Sequence, residues 1–509
     1  MLDQYILHAL ILVASSPVVY KLLSGLWKYL YGDVLELVPG IPIMGDPKDT
    51  NFENAMRKGD TLYPDGVYQV ALPTMPEVIF PPQAMHELGS HPGGSFPAHT
   101  ADVLMGKYTY QGEENPELKA GLRLLTNNLD VAIKSCEAEV SFAVNAAFGD
   151  CDDWTTVEDL VQVSFQISSI LSSRLFLGEE LSRDSEWFAA MVEYTRSLND
   201  AMGSLRPVPR IIRWLAEERL PRIRKLVKAR DRMEELMQPS IQKHLDRYYA
   251  NRENARNKRK PPTYEDGGEL LDWIIPQYPN PNRKKLTRDE VTIILEAVIN
   301  ISSPLSQLLF NIAKYKEYQE PLRDEFLAAK HETGGRLNKA TLFAMKKLDS
   351  FMKETHRLCP PSLIAVTRKV IDPEGMQLAV GPRIPYGTLC AVSADRINMS
   401  PEYYPEPEKF DGYRFYKMRE QHGGEFKHML VSTSDTEVNF SIGAHACPGR
   451  SFFMAMGKIV VAHLLTEYDI RVKPGHEDED ARLMQGIRVV TNPKAIIQLR
   501  KKKQTWDEL

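Results

Sequence analysis

Cys447 is followed at once by Pro448 and Gly449 and then by an apolar run of helical period, so the chain sets a lone thiol at the mouth of a helix. A helix N-terminus offers free N–H groups and positive partial charge, which favour a thiolate over a thiol. The surrounding segment, FSIGAHACPGR at 440–450, is built for such a sulfur. Gly443 and Gly449 let the backbone turn tightly and approach a flat cofactor. Phe440 is placed to shield the sulfur from water. Hydrogen bonds to a ligating sulfur also tune the potential of the metal it holds. The alternative is an ordinary loop with a buried free thiol.

The other cysteines, Cys136, Cys151, Cys359 and Cys390, are scattered and form no C-x-x-C pair. Five in all, they match neither a disulfide framework nor a structural zinc site, and they point to a reducing compartment. A net charge of -5 argues against a nucleic-acid partner. The basic runs Arg256–Lys260 and Lys501–Lys503 read as solvated loop and tail.

No charged residue appears from Tyr5 to Tyr20. Helix of that length reaches about 24 Å, and a bilayer core is about 30 Å thick. Continuation to Leu30, with Lys21 and Lys28 snorkelling, closes the gap. Only Asp3 precedes the run and lysines follow it. That favours a single membrane anchor over residues 1–30, with residues 31–509 on the cytosolic side, over a cleaved signal peptide. His8 and Pro17 interrupt the run and keep an amphipathic surface helix open.

Pro39 and Pro42 in LVPGIPIMG (37–45) predict a stiff extended spacer. Two short strands are expected in 66–80, around a turn at Pro73–Pro76. Helices should dominate 116–249, with a polar loop at 253–262. A long helix is expected over 287–318 and another over 346–358. Strands are expected at 363–370 and 388–392, an irregular Pro-rich segment at 400–440, and strands at the end. Length alone allows about three domains, yet no repeat or linker divides the body after residue 45. It reads as one mainly α domain with small β-sheets.

Glu354 and Arg357 (ETHR) lie three apart on one helix face. FDGYRF follows at 410–415, and then the cysteine loop. The three motifs in this order, with F-x-x-G-x-H-x-C-x-G at the loop, resemble the cytochrome P450 family, in particular fungal, microsomal members of secondary metabolism. The resemblance runs from anchor to last strand. It implies the cytochrome P450 fold and a haem b whose iron is bound by Cys447, with His445 on a propionate. It also implies a buried triad of Glu354, Arg357 and Arg414, in which two planar guanidiniums satisfy a carboxylate that is costly unpaired. Arg368 falls where the family places a propionate-binding Arg. Lys119 and Arg123 (KAGLR) fall where many members have W-x-x-x-R; the Trp is missing, and a solvated helix face is the alternative.

The distal helix departs from the pattern. Members usually carry an acid–alcohol pair that relays protons during oxygen activation. Here LEAVINISSP (295–304) puts Ile299 and Asn300 at those positions. Pro304 removes the donor for the Asn300 carbonyl, an interruption worth about 3 kcal/mol unless offset. Glu296, one turn before Asn300, is a candidate acid. Ser302 and Ser303 are candidates to carry a water, or else bond back to the helix.

The resemblance therefore implies a monooxygenase fed from NADPH by NADPH–cytochrome P450 reductase, with cytochrome b5 as a possible second donor. It acts at the endoplasmic reticulum membrane on a lipophilic secondary metabolite such as a terpenoid. The pocket is expected near 95–110, 200–215, 295–303 and 361–367. Two other readings stay open: haem-dependent rearrangement, cyclisation or dehydration, and a haem-binding protein without turnover.

Overall fold

The structure, a computed structural model, describes residues 37–72, 75–113, 115–205, 220–258 and 269–503. The expected anchor, residues 1–30, lies outside them.

The centre of the molecule is the helix Arg283–Lys314. The Asn282 side chain starts it, accepting from Lys285 N at 3.0 Å. It therefore begins four residues earlier than the apolar period predicts. It also ends earlier, and a separate 3-10 turn covers Lys316–Tyr318. The helix runs on through Pro304. Its apolar positions are buried almost throughout, against helices Leu160–Leu177 and Pro221–Lys258. Arg283–Lys314 and Leu160–Leu177 are long and apolar enough to cross a membrane, but both lie mostly inside the protein, where a core helix needs the same composition.

Helix Pro221–Lys258 replaces the first half of the polar loop expected at 253–262. Glu253, Ala255, Arg256 and Lys258 are good helix formers, so a polar composition there did not require a loop. Residues 259–268 lie outside the described set. The helical stretch 116–249 is interrupted by the strand Thr155–Val157.

A six-stranded sheet forms one edge, in the order Ile43–Met44, Tyr68–Val70, Glu77–Phe80, Leu389–Ser393, Ile364–Val370, Gly94–Ser95. The predicted hairpin is present, with Tyr68 opposite Ile79. A bulge between Ala365 and Arg368 interrupts the pairing of the fifth strand with the fourth. Val366 in that bulge has φ +53°, which a β-branched residue adopts only under strain. A three-stranded sheet (Thr155–Val157, Ile497–Lys501, Tyr468–Val472) and the hairpin Arg482–Gln485/Arg488–Thr491 complete the β structure. The Pro-rich region 400–440 is irregular except for the short helix Arg414–Glu420. Helix Lys346–Leu358 has the predicted bounds, and Arg450–Glu467 starts one residue after Gly449.

Candidate active site

Cys447 sits just before the helix Arg450–Glu467, and the backbone N–H groups of Gly449 and Arg450 both bond its sulfur. The loop is held from several sides. Cys447 N donates to Phe440 O at 2.8 Å, and Arg450 returns to Cys447 O at 2.6 Å and to Val431 O at 3.0 Å. Thr126 Oγ1, from helix Pro116–Asn127, lies 3.3 Å from Pro448 O and 3.2 Å from Leu122 O and shares its one proton between them. Phe440 stacks on His356, ring centroids 4.6 Å apart. The sulfur's protonation departs from the sequence expectation. Burial pushes the Cys447 thiol up, and the two N–H groups and the Arg450 charge only offset this in part. The loop is thus suited to a thiolate that a cation neutralises.

Glu354, Arg357 and Arg414 meet behind the loop. Arg357 donates from Nε and Nη2 to the two Glu354 oxygens at 2.8 Å each, and Arg414 Nε reaches them at 3.1 and 3.2 Å. Their remaining donors bond the carbonyls of Asn398, Pro405, Glu406 and Lys409. No motif marks the next link. Asn398, whose carbonyl takes Arg357 Nη1 at 2.7 Å, donates from Nδ2 to Asn439 Oδ1 at 2.9 Å. Asn439 donates to His356 O at 2.9 Å and directly precedes Phe440. An unbroken chain of hydrogen bonds therefore runs from the triad to the loop.

Glu296 and Asn300 stand one turn apart on the central helix and are both exposed, yet burial dominates the surroundings of the Glu296 carboxyl. That combination fits side chains facing an internal hollow, and the Glu296 charge is near enough to bear on the Cys447 thiol. Burial holds the Glu296 carboxyl at a pKa of about 7. Neither side chain bonds to a described residue. Ser302 is a correction. Two positions on from Asn300 it points to another face; it is buried, and its hydroxyl donates back to Ile299 O at 3.1 Å. It is not placed to serve the hollow.

The remaining candidates are distributed around the loop. Arg368 is buried, donates to the carbonyls of Thr367 (2.7 Å) and Gly89 (2.5 Å), and has no carboxylate beside it among the described residues. Burial lowers its pKa, which is the condition of a cation awaiting an anion. The His445 ring lies 5.3 Å from that of Phe96. Lys119 and Arg123 are both exposed on helix Pro116–Asn127, Arg123 one turn before Thr126.

A flat, dianionic, sulfur-ligated group such as haem b fits these residues. Arg368 is a buried guanidinium without a counter-charge. Gly443 needs glycine for its φ of +64°. Gly449 does not: its φ is -85°, and a Cβ there would stand 3.9 Å from the Cys447 sulfur, an ordinary contact. A Cβ at Gly443 would meet nothing within 4 Å and one at Gly449 only that sulfur, so the loop leaves room for a flat group beside the thiol.

Comparison with known proteins gives one answer. The family model described as Cytochrome P450 matches residues 151–499. The cytochrome P450 monooxygenase ataF of Aspergillus terreus (strain NIH 2624 / FGSC A1156) is 36% identical over 442 residues, 86% of this chain and 87% of that one. The cytochrome P450 monooxygenase gliF of Aspergillus fumigatus (strain ATCC MYA-4609 / CBS 101355 / FGSC A1100 / Af293) is 31% identical, covering 86% of each. Among solved structures, retinoic acid bound cyanobacterial CYP120A1 superposes with a TM-score of 0.65 at 17% identity, over 92% of this chain and 100% of that one.

Proposed function

The chain belongs to the cytochrome P450 family, as a cytochrome P450 monooxygenase, and from that premise we propose that it binds haem b through the Cys447 thiolate and oxidises a lipophilic small molecule of fungal secondary metabolism. Bound haem would supply oxygen activation: with O2, two electrons and two protons, one oxygen atom enters the substrate and the other leaves as water. The N–H groups of Gly449 and Arg450 stabilise the thiolate. Phe440, stacked on His356, keeps water from the sulfur. Arg368 and His445 bind one haem carboxylate, and Arg123, with Lys119, the other. Glu354, Arg357 and Arg414 hold the loop through Asn398 and Asn439.

Proton delivery falls to Glu296. A carboxyl with a pKa of about 7 is half protonated at the working pH, where a general acid is most effective. Asn300, one turn on, holds the water that carries the proton. Ile299 takes no part. Electrons come from NADPH through NADPH–cytochrome P450 reductase, with cytochrome b5 as an auxiliary donor. Residues 1–30 anchor the protein in the endoplasmic reticulum membrane and residues 31–509 form the cytosolic monooxygenase domain. A terpenoid fits the substrate class.

The observation that carries this reading is the sulfur of Cys447, bonded by two backbone N–H groups and within electrostatic reach of Glu296. Its test is the ferrous–carbon monoxide difference spectrum of the purified protein beside Cys447→Ala. The red-shifted Soret band of a thiolate-ligated haem is expected in the wild type and absent from the variant. A folded, haem-reconstituted wild type without that band has no thiolate ligand.

A further inference from the structure

The hollow-facing helix carries Pro304 four residues after Asn300, so the Asn300 carbonyl lacks its helical donor. Three hydroxyls gather at this gap. Ser306 Oγ lies 2.8 Å from Ser303 O and 2.5 Å from Thr491 Oγ1, and Ser303 Oγ lies 3.3 Å from Thr491 Oγ1. Thr491 ends the strand Arg488–Thr491 and is buried, as is Ser306.

Each hydroxyl has one proton to donate, which fixes their directions. Ser306 donates to Ser303 O, its shorter carbonyl contact; Thr491 then donates to Ser306, and Ser303 to Thr491. Two other arrangements make as many bonds, and in both Thr491 donates to Ser303 O at 3.4 Å while Ser306 donates either to Thr491 or to Ser303 O. Ser303 is again the donor to Thr491. In every case the Ser303 proton points at the hairpin and its lone pairs are left over. Ser303 is partly open and stands one turn beyond Asn300.

Resting on the reading of the hollow as the haem site, we propose that the Pro304 gap and the Thr491 latch make this helix face a hydrogen-bond acceptor surface, so that the substrate presents it an O–H or N–H donor. The acceptors are Ser303 Oγ and the Asn300 carbonyl. A bare hydrocarbon leaves both unpaired once water is expelled, and such a loss is costly. Thr491 acts as a positioning residue: it touches no substrate and sets the direction of the Ser303 hydroxyl.

The test uses the haem-loaded full chain as its ferrous–carbon monoxide complex and reads the C–O stretching band. A donor aimed at the ligand oxygen lowers that frequency; lone pairs raise it. Thr491→Val should release the Ser303 proton toward the hollow and lower the band, while Thr491→Ser should keep the wild-type position. In the wild type, cyclododecanol should move the band and bind about ten-fold more tightly than its methyl ether, the difference expected for one hydrogen bond. Ser303→Ala should weaken that preference, leaving only what the Asn300 carbonyl supplies. A band indifferent to Thr491→Val, or one that responds alike to the alcohol and the ether, overturns the proposal. A protein that takes up no haem fails earlier and visibly, and overturns the parent reading instead.

Discussion

Arg357 holds Glu354 through two parallel hydrogen bonds of 2.8 Å, three residues apart on one helix, with both side chains closed to water. The same carboxylate binds Arg414 and the backbone N–H of Asp411. Among the described residues, Glu354 is the carboxylate that hydrogen-bonds both buried guanidiniums.

Glu354→Gln should therefore be severe. It leaves two buried guanidiniums without a counter-charge, a loss of about 3–5 kcal/mol for a broken buried pair. Chemical denaturation with haem absorbance as a second probe measures it. Haem release before global unfolding is the expected order, because the Asn398–Asn439 chain transmits the damage to the Cys447 loop. A variant as stable as wild type would show that the triad supports nothing.

Glu296→Gln should keep the thiolate spectrum and lose turnover. Removing a general acid costs about 10²-fold or more in rate. Measured as product per NADPH consumed, coupling should collapse while NADPH oxidation continues. Asn300→Thr should raise coupling, since a hydroxyl passes a proton that an amide does not. Unchanged coupling in both variants would remove this face of the helix from proton delivery.

Arg368→Leu separates binding of a cofactor from folding. In the haem-free protein the buried guanidinium has no carboxylate beside it among the described residues, so its loss should be neutral or mildly stabilising. In the loaded protein it should speed haem transfer to an acceptor protein such as apomyoglobin by about ten-fold, one charge-assisted hydrogen bond's worth. Equal transfer rates would place the haem carboxylates elsewhere.

His356 gives the pH dependence. Burial, with Lys353 nearby, lowers its pKa from 6.5 to about 4, so the folded protein keeps it neutral. Between those values the unfolded chain binds the extra proton, so stability is present above pH 6.5 and is lost as pH falls toward about 4. The loss is on the order of 3 kcal/mol. His356→Phe, which keeps the stack on Phe440, should flatten that part of the stability–pH curve; a curve as steep as wild type would assign the acid sensitivity to other groups.

How much of this was legible beforehand depended on how local the signal is. The Cys447 loop and the Glu354–Arg357 pair are contiguous in sequence, and the structure brings Arg414 to them. Helix Arg283–Lys314 was placed four residues late because its start is set by a cap rather than by apolar period, although Asn282 before a run of helix formers was readable. Sequence leaves Ser302 between two readings because periodicity does not say which hydroxyls return to their own backbone, and here this one does. Asn398 and Asn439 were invisible: their bond spans 41 residues and neither stands in a motif. The same holds for Thr491, 188 residues from Ser303.

The bond from Thr126 to Pro448 joins residues 322 positions apart. Contacts of that span form late, because a long stretch of chain must be ordered before they repay its entropy. During synthesis the apolar helices around residues 116–205 leave the ribosome well before the loop they enclose has been made. Until then their inner faces have no partner, and exposed apolar surface of this kind aggregates. Chaperone supply and the pace of translation should therefore govern the yield of active protein from a foreign host more strongly than the stability of the finished molecule does.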